Sequence, residues 1–141
     1  MRECSEYQVL DSNTRNNKYD DGENYFVDHL GIKGNPKKFP TSSDWKGAGW
    51  YRLLPPAGTV IPESSPGENY CGAKVQGWVR GQHPVTPGQV TNTTICFDVA
   101  EDDCLLWVDA MITNCDSYFV YFLPEAPVDW WSYGYCGADS L

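Results

Sequence analysis

The run Cys104-Leu105-Leu106-Trp107-Val108-Asp109-Ala110-Met111-Ile112-Thr113, followed closely by Ser117-Tyr118-Phe119-Val120-Tyr121-Phe122-Leu123, decides the fold. In the first run apolar residues occupy both parities. In the second, Tyr118, Val120 and Phe122 alternate with Phe119, Tyr121 and Leu123. Short runs of leucine, aromatic and β-branched residues without polar alternation read as strands buried on both faces. They form the core sheet, inside a stretch from Cys71 to Cys136 that holds five of the six cysteines.

Working outward, Val90–Val99 reads as the strand before this core, entered through the turn residues His83-Pro84 and Pro87-Gly88. Glu101-Asp102-Asp103 is the exposed acidic tip that joins it to the core. Val75, Trp78 and Val79 mark another strand. Residues 41–70 are rich in Gly, Pro and Ser around one aromatic island, Trp50-Tyr51-Arg52-Leu53, which gives a single strand among loops. Near the start, Tyr7, Val9 and Leu10 suggest a short first strand. Tyr25-Phe26-Val27 and Leu30-Gly31-Ile32 suggest a hairpin ended by Gly34-Asn35-Pro36. The expected fold is mainly β: residues 1–141 form one small disulfide-stapled domain of antiparallel strands and hairpins with long loops.

A chain of 141 residues can bury about two thirds of its unfolded surface, enough for a real core. The formal charge of −9, with 10 basic residues against 19 acids, excludes nucleic acid, which needs a basic stripe. There is no long apolar span and no charged-then-apolar leader, so neither membrane insertion nor a signal peptide is expected. A secreted domain without a leader reads as an excised piece of a larger protein, monomeric on its own, with Met1 as an added start.

The six cysteines lack the Cys-x-x-Cys spacing that zinc needs, and His29 and His83 lie far from any cysteine. Neither a metal nor a cofactor is expected. Disulfides are the better reading, and they place the domain outside the cell. Spacing alone leaves the pairing open. Asp20-Asp21-Gly22-Glu23-Asn24 has the composition of a calcium loop without its ligand spacing, and reads as a solvated turn.

Six tryptophans and nine tyrosines offer stacking platforms for sugar rings or protein partners. The densest group is Trp130-Trp131-Ser132-Tyr133, with Asp129 beside it for hydroxyl hydrogen bonds; Trp130, Trp131, Tyr133 and Asp129 are the candidate binding site. No catalytic residue stands out. His83, before a proline in a turn, favours a structural hydrogen bond. The expected function is a non-enzymatic extracellular recognition or assembly module for proteins or glycans; the rivals are a secreted carboxylate-dependent hydrolase and a purely structural spacer. Asn92-Thr93-Thr94 is the chain's glycosylation acceptor.

The markers Trp50-Tyr51-Arg52, Gly58, Cys71, Trp78, Gly81, His83-Pro84, Cys96, Cys104-Leu105-Leu106-Trp107, Cys115, Tyr118, Val120-Tyr121, Leu123 and Tyr135-Cys136 resemble the cysteine-rich domain family of uromodulin and pancreatic glycoprotein 2. Cys4, Tyr7 and Leu10 look like that domain's opening. The resemblance implies an extracellular module without enzymatic activity, with Trp50, Trp78 and Trp107 in the core. It also implies the bridges Cys4–Cys115, Cys71–Cys136 and Cys96–Cys104. Ser43, Ser65, Leu105 and Trp131 stand where the family has cysteines, and they are missing in partnered pairs. Trp131 is then expected to replace one lost bridge by packing, near Trp45. The family's own glycosylation sites near the His-Pro marker and in the Val120-Tyr121 strand are absent here, which leaves Asn92.

Overall fold

The structure is a computed structural model that describes residues 1–19, 24–32, 37–67, 69–97, 104 and 106–141. Among the described residues one seven-stranded sheet organises the chain. Its strands are β1 (Gln8–Leu10), β2 (Gly49–Leu53), β3 (Val75–Arg80), β4 (Val90–Phe97), β5 (Leu106–Asn114), β6 (Phe119–Leu123) and β7 (Tyr133–Tyr135). They lie in the order β1-β2-β6-β5-β4-β3-β7. The two runs that carried the sequence reading become β5 and β6, paired antiparallel from Met111↔Phe122 to Asn114↔Phe119.

The sheet is antiparallel only in its centre. At both edges the pairing is parallel: β1 runs with β2, and β7 with β3. Parallel neighbours need long connections, and the stretches from Leu10 to Gly49 and from Arg80 to Tyr133 supply them. The expected hairpin at Tyr25–Ile32 does not form. Instead Val27 makes a parallel bridge with Thr41, while the amides of Phe26 and Asp28 donate to the carbonyls of Gly72 and Tyr133. Those partners compete successfully because they satisfy buried backbone groups that a lone hairpin would leave in water.

One face of the sheet holds the core: Tyr51 and Leu53 from β2, Val79 from β3, Ile95 and Phe97 from β4, Ala110 and Ile112 from β5, Tyr121 and Leu123 from β6. Trp45 closes it, stacked on Tyr51 at 4.9 Å and tilted against Tyr135 at 5.6 Å. Its indole Nε1 donates to Glu125 Oε2 at 2.9 Å, so the ring is buried without stranding its polar atom. The C-terminal segment is drawn in so tightly that a Cβ on Gly137 would stand 2.1 Å from the Ala57 carbonyl oxygen; only glycine fits there.

On the opposite face the N-terminal segment covers one half. Glu3 accepts from Thr113 Oγ1, Tyr118 Oη donates to the Cys4 carbonyl, and Arg52 lies 3.8 Å from the Tyr118 ring centroid. The other half stays open, which corrects the expectation that β5 is buried on both faces and that Trp107 is core. Trp107 is 57% exposed and Leu106 is exposed too. The cause is register: β6 pairs with β5 only from Met111 onward, so the first half of β5 runs beyond it with β4 alone beside it. Trp78 is buried as expected, and Trp50 is half-buried against Phe122. The acidic stretches at 20–23 and 101–103, the turn at 34–36, and Leu105 lie outside the described residues.

Candidate functional site

The connection from β6 to β7 carries the predicted aromatic cluster, and it is fastened by its own polar residues. Glu125 accepts from the Leu30 amide, Asp129 Oδ2 accepts from the Ile32 amide at 3.3 Å, and Ser132 Oγ donates to the Phe26 carbonyl at 2.6 Å. Such ties hold a long loop in one shape. They also sort the predicted residues. Trp130 is 60% exposed at the surface. Asp129 is buried, with its carboxylate committed to backbone, and Tyr133 turns inward on β7 against Phe97 at 5.5 Å. These two therefore leave the expected binding surface: the loop must satisfy buried amides, and β7 must close the core edge.

Trp131 is half-buried, edge-on to Phe39 at 5.4 Å. Lys38 Nζ lies 4.6 Å from its ring centroid and Lys74 Nζ 5.5 Å, and Lys74 is also 4.8 Å from the Tyr25 ring. An ammonium held against an indole is favourable by about 0.5–1 kcal/mol at an exposed site. The ring contacts of Trp131 are with Phe39 and the two lysines, while Trp45 packs on Tyr51 and Tyr135, which corrects the expected placement near Trp45. Lys74 was invisible to sequence reasoning because it is far away along the chain. Lys38 left a trace, since Lys37-Lys38 is the basic pair in an otherwise scattered set.

Because part of the Trp131 ring stays in solvent, its packing contribution is below that of a fully buried aromatic. Trp131→Ala is expected to cost about 2 kcal/mol in urea denaturation, against the 3–5 typical of a fully buried aromatic. Trp130→Ala should leave stability within about 0.5 kcal/mol.

His83 forms a second constellation. Its backbone amide and Nδ1 both meet Glu63 Oε2 at 2.7 Å, so Nδ1 carries the proton toward the carboxylate. Nε2 is 2.7 Å from Tyr121 Oη, which itself accepts from the Ile61 amide at 3.0 Å; the neutral ring therefore accepts from the phenol. Burial pushes the His83 pKa down, only partly offset by Glu63, and burial pushes the Tyr121 phenol up. With both ring nitrogens occupied, this is the structural hydrogen bond that the sequence favours.

A histidine with a depressed folded pKa binds fewer protons folded than unfolded as pH falls, so its stabilisation is complete above the unfolded value of about 6.5 and declines below it. Stability should thus fall on acidification through the range just below that value. His83→Gln, whose amide can donate to Glu63 and accept from Tyr121, should flatten that part of the profile; an unchanged slope would assign it to other groups.

The third constellation is ionic. Arg15 is buried, and its guanidinium reaches Asp28 at 2.6 and 3.0 Å, Asp44 at 2.5 and 3.2 Å, and the Tyr135 carbonyl at 2.9 Å. Burial alone would raise the Asp44 carboxyl, but Arg15 and the Ser12 amide outweigh it and hold the pKa below the usual range. Among the described residues no group of His, Cys, Asp and Glu gathers as a metal site.

The cysteines pair as Cys4–Cys115, Cys71–Cys136 and Cys96–Cys104. All six are bonded. Asn92 stands exposed on β4, opposite Met111.

Residues 51–137 match the family model of the uromodulin-like cysteine-rich domain. The pancreatic secretory granule membrane major glycoprotein GP2 of Homo sapiens is 28% identical over 90 residues, covering 63% of this chain and 16% of that protein. The same glycoprotein of Rattus norvegicus is 30% identical over 84 residues, covering 56% of this chain and 16% of that protein. The chain thus spans about a sixth of the length of these relatives. The domain is extracellular, as its three bridges require an oxidising compartment. With its disulfide-stapled sheet and a match over residues 51–137, the chain belongs to the uromodulin-like cysteine-rich domain family.

Proposed function

We propose that this domain is a non-enzymatic recognition module of a larger secreted or cell-surface protein, and that it takes an acidic glycan on the Trp130–Trp131 surface. The observation that carries this reading is the placement of Lys38 and Lys74 over Trp131, beside an exposed Trp130, on a chain of net charge −9. An indole face suits the apolar face of a sugar ring, and a neighbouring ammonium suits a carboxylate or sulfate on it. The ionisable groups gathered around Arg15 and His83 support a non-enzymatic role: Asp28 and Asp44 are committed to Arg15, Glu63 is committed to His83, and burial keeps the Tyr121 phenol protonated. Among the described residues neither ring nitrogen of His83 is left to activate a nucleophile.

The test is a glycan array that pairs neutral sugars with sialylated and sulfated counterparts, probed with the wild type, Trp130→Ala and Lys74→Gln. Binding should be confined to acidic sugars, weaken with added salt, and disappear in Trp130→Ala without loss of stability. Absence of binding, or equal binding to neutral sugars, rejects the proposal. The spacer reading would gain from that result, because Trp131 already has a packing role against Phe39.

A further inference from the structure

On the outer face, where the open half begins, four side chains stand in one row: Asn92 on β4 opposite Met111 on β5, Met111 opposite Phe122 on β6, and Phe122 opposite Trp50 on β2. Trp50 and Phe122 meet edge to face at 5.6 Å. None of the four belongs to the core on the other side, and Met111, Phe122 and Trp50 each keep part of their surface in solvent. The row begins at an open groove of about 440 Å³ whose walls include Asn92, Asp109, Met111 and Phe122. An apolar floor with polar groups at one rim is unusual on the outer face of a sheet, where polar residues should alternate outward.

The polar end of that row is the glycosylation acceptor. In Asn92-Thr93-Thr94 the asparagine and the second threonine share a face, as the two-residue period of a strand requires. The pairing of β3 with β4 stops at Arg80↔Thr94, so among the described residues no strand pairs with Asn92 on the β3 side, and the Asn92 side chain itself is exposed. We infer that Asn92 carries an N-linked glycan whose first sugars lie along the Met111–Phe122–Trp50 row and cover this half of the sheet.

The geometry suits that occupant better than a free partner. Three strand spacings of about 4.8 Å separate Asn92 from Trp50, a reach of about 14 Å, which the first few sugars of an N-glycan core can span. The apolar faces of the rings would rest on Met111, Phe122 and Trp50. Their hydroxyls would meet the exposed Asp109 at the rim. The groove starts at the acceptor itself, so the tether keeps the sugar at high effective concentration there. The site is separate from the Trp130–Trp131 surface and does not depend on it.

The experiment expresses the chain through a eukaryotic secretory pathway and maps peptides by mass, then oxidises the native protein with dilute peroxide. Two methionines make the readout internal: Met111 lies in the row, and Met1 is 59% exposed elsewhere. Thioether oxidation follows exposure. Asn92 should be modified, and Met111 should oxidise several-fold faster in Thr94→Ala than in the glycosylated wild type, with Met1 unchanged. Enzymatic removal of the whole sugar from the native wild type should have the same effect, which keeps the test alive if the variant is not secreted. An unmodified Asn92 overturns the inference. So does a glycosylated Asn92 whose removal leaves the Met111 rate unaltered, since the sugar would then extend into solvent or another occupant would cover the row.

Discussion

Arg15→Ala is expected to lower folding stability by about 3–5 kcal/mol, the largest effect of any single side chain in the domain. Arg15 is the shared cation for two buried carboxylates, and it is the most buried charge donor of the N-terminal segment. Removing it leaves the buried Asp28 and Asp44 without their counter-ion. The alternative outcome is informative, because an ion triad as a whole can be exchanged for apolar groups at little cost. Here that exchange should fail, since Asp28 Oδ2 also accepts from the Tyr135 amide at 2.7 Å and a leucine would orphan that donor. Urea denaturation of Arg15→Ala and of a triple apolar replacement checks both claims. A loss below about 1 kcal/mol in the single variant would mean that water enters the space left by the guanidinium and rehydrates the two carboxylates. The acid side follows from Asp44: its folded pKa is depressed, so its stabilisation is present above the ordinary carboxylate range and disappears as pH falls through the lower folded value.

Loss of the long bridge comes next. The paired replacement Cys4→Ala with Cys115→Ala opens a closure of 111 residues. Chain entropy puts its contribution near 5 kcal/mol, against about 2.6 for the short Cys96–Cys104 loop, and measured losses for native bridges in small secreted domains run about 2–5. The N-terminal segment has few apolar contacts of its own, and it covers Val120, Thr113 and Tyr118 only while it is held there. The double variant should therefore show both a lower urea midpoint and faster amide exchange over residues 1–10. A midpoint shift no larger than that of the Cys96–Cys104 double variant would show that the entropy argument fails here, and that the Arg52 and Glu3 contacts suffice.

The centre of this fold was legible because β5 and β6 are written in residues that have no other good use. Runs such as Phe119-Val120-Tyr121-Phe122-Leu123 can only be satisfied between two covered surfaces or beside another strand. The edges were not legible. Nothing in Gln8-Val9-Leu10 or Tyr133-Gly134-Tyr135 says parallel, because direction at an edge is set by where the long loops return, and that depends on contacts such as Arg15 with Asp28. Trp107 was misplaced for a related reason: exposure depends on how far β6 reaches along β5, a matter of register between strands and not of composition.

At the candidate site, Trp130 and Trp131 could be singled out because aromatic residues clustered in a loop are uncommon. Asp129 and Tyr133 could not be separated from them, since adjacency in sequence says nothing about which side chain the loop turns inward. The pairing of the cysteines came from resemblance, and the described geometry has the same three bridges. The lysines over Trp131 arrive from two distant segments, and only folding brings them together.

The bridges also determine how this domain answers a pull. Force entering before Cys4 crosses directly to Cys115 through a covalent bond, so residues 5–114 are taken out of the line of tension. Force leaving after Cys136 acts on a residue already bonded to Cys71. Between those two anchor points only the stretch from Cys115 to Cys136 can lengthen, by about 3.4 Å per residue at most. Stretched inside a longer polymer, the domain would yield β6, its following loop and β7 and then stop, with β3, β4 and β5 outside the covalent line of tension. The same sheet that is held by disulfides against heat and denaturant is, under tension, a link whose reach is capped by its bridges.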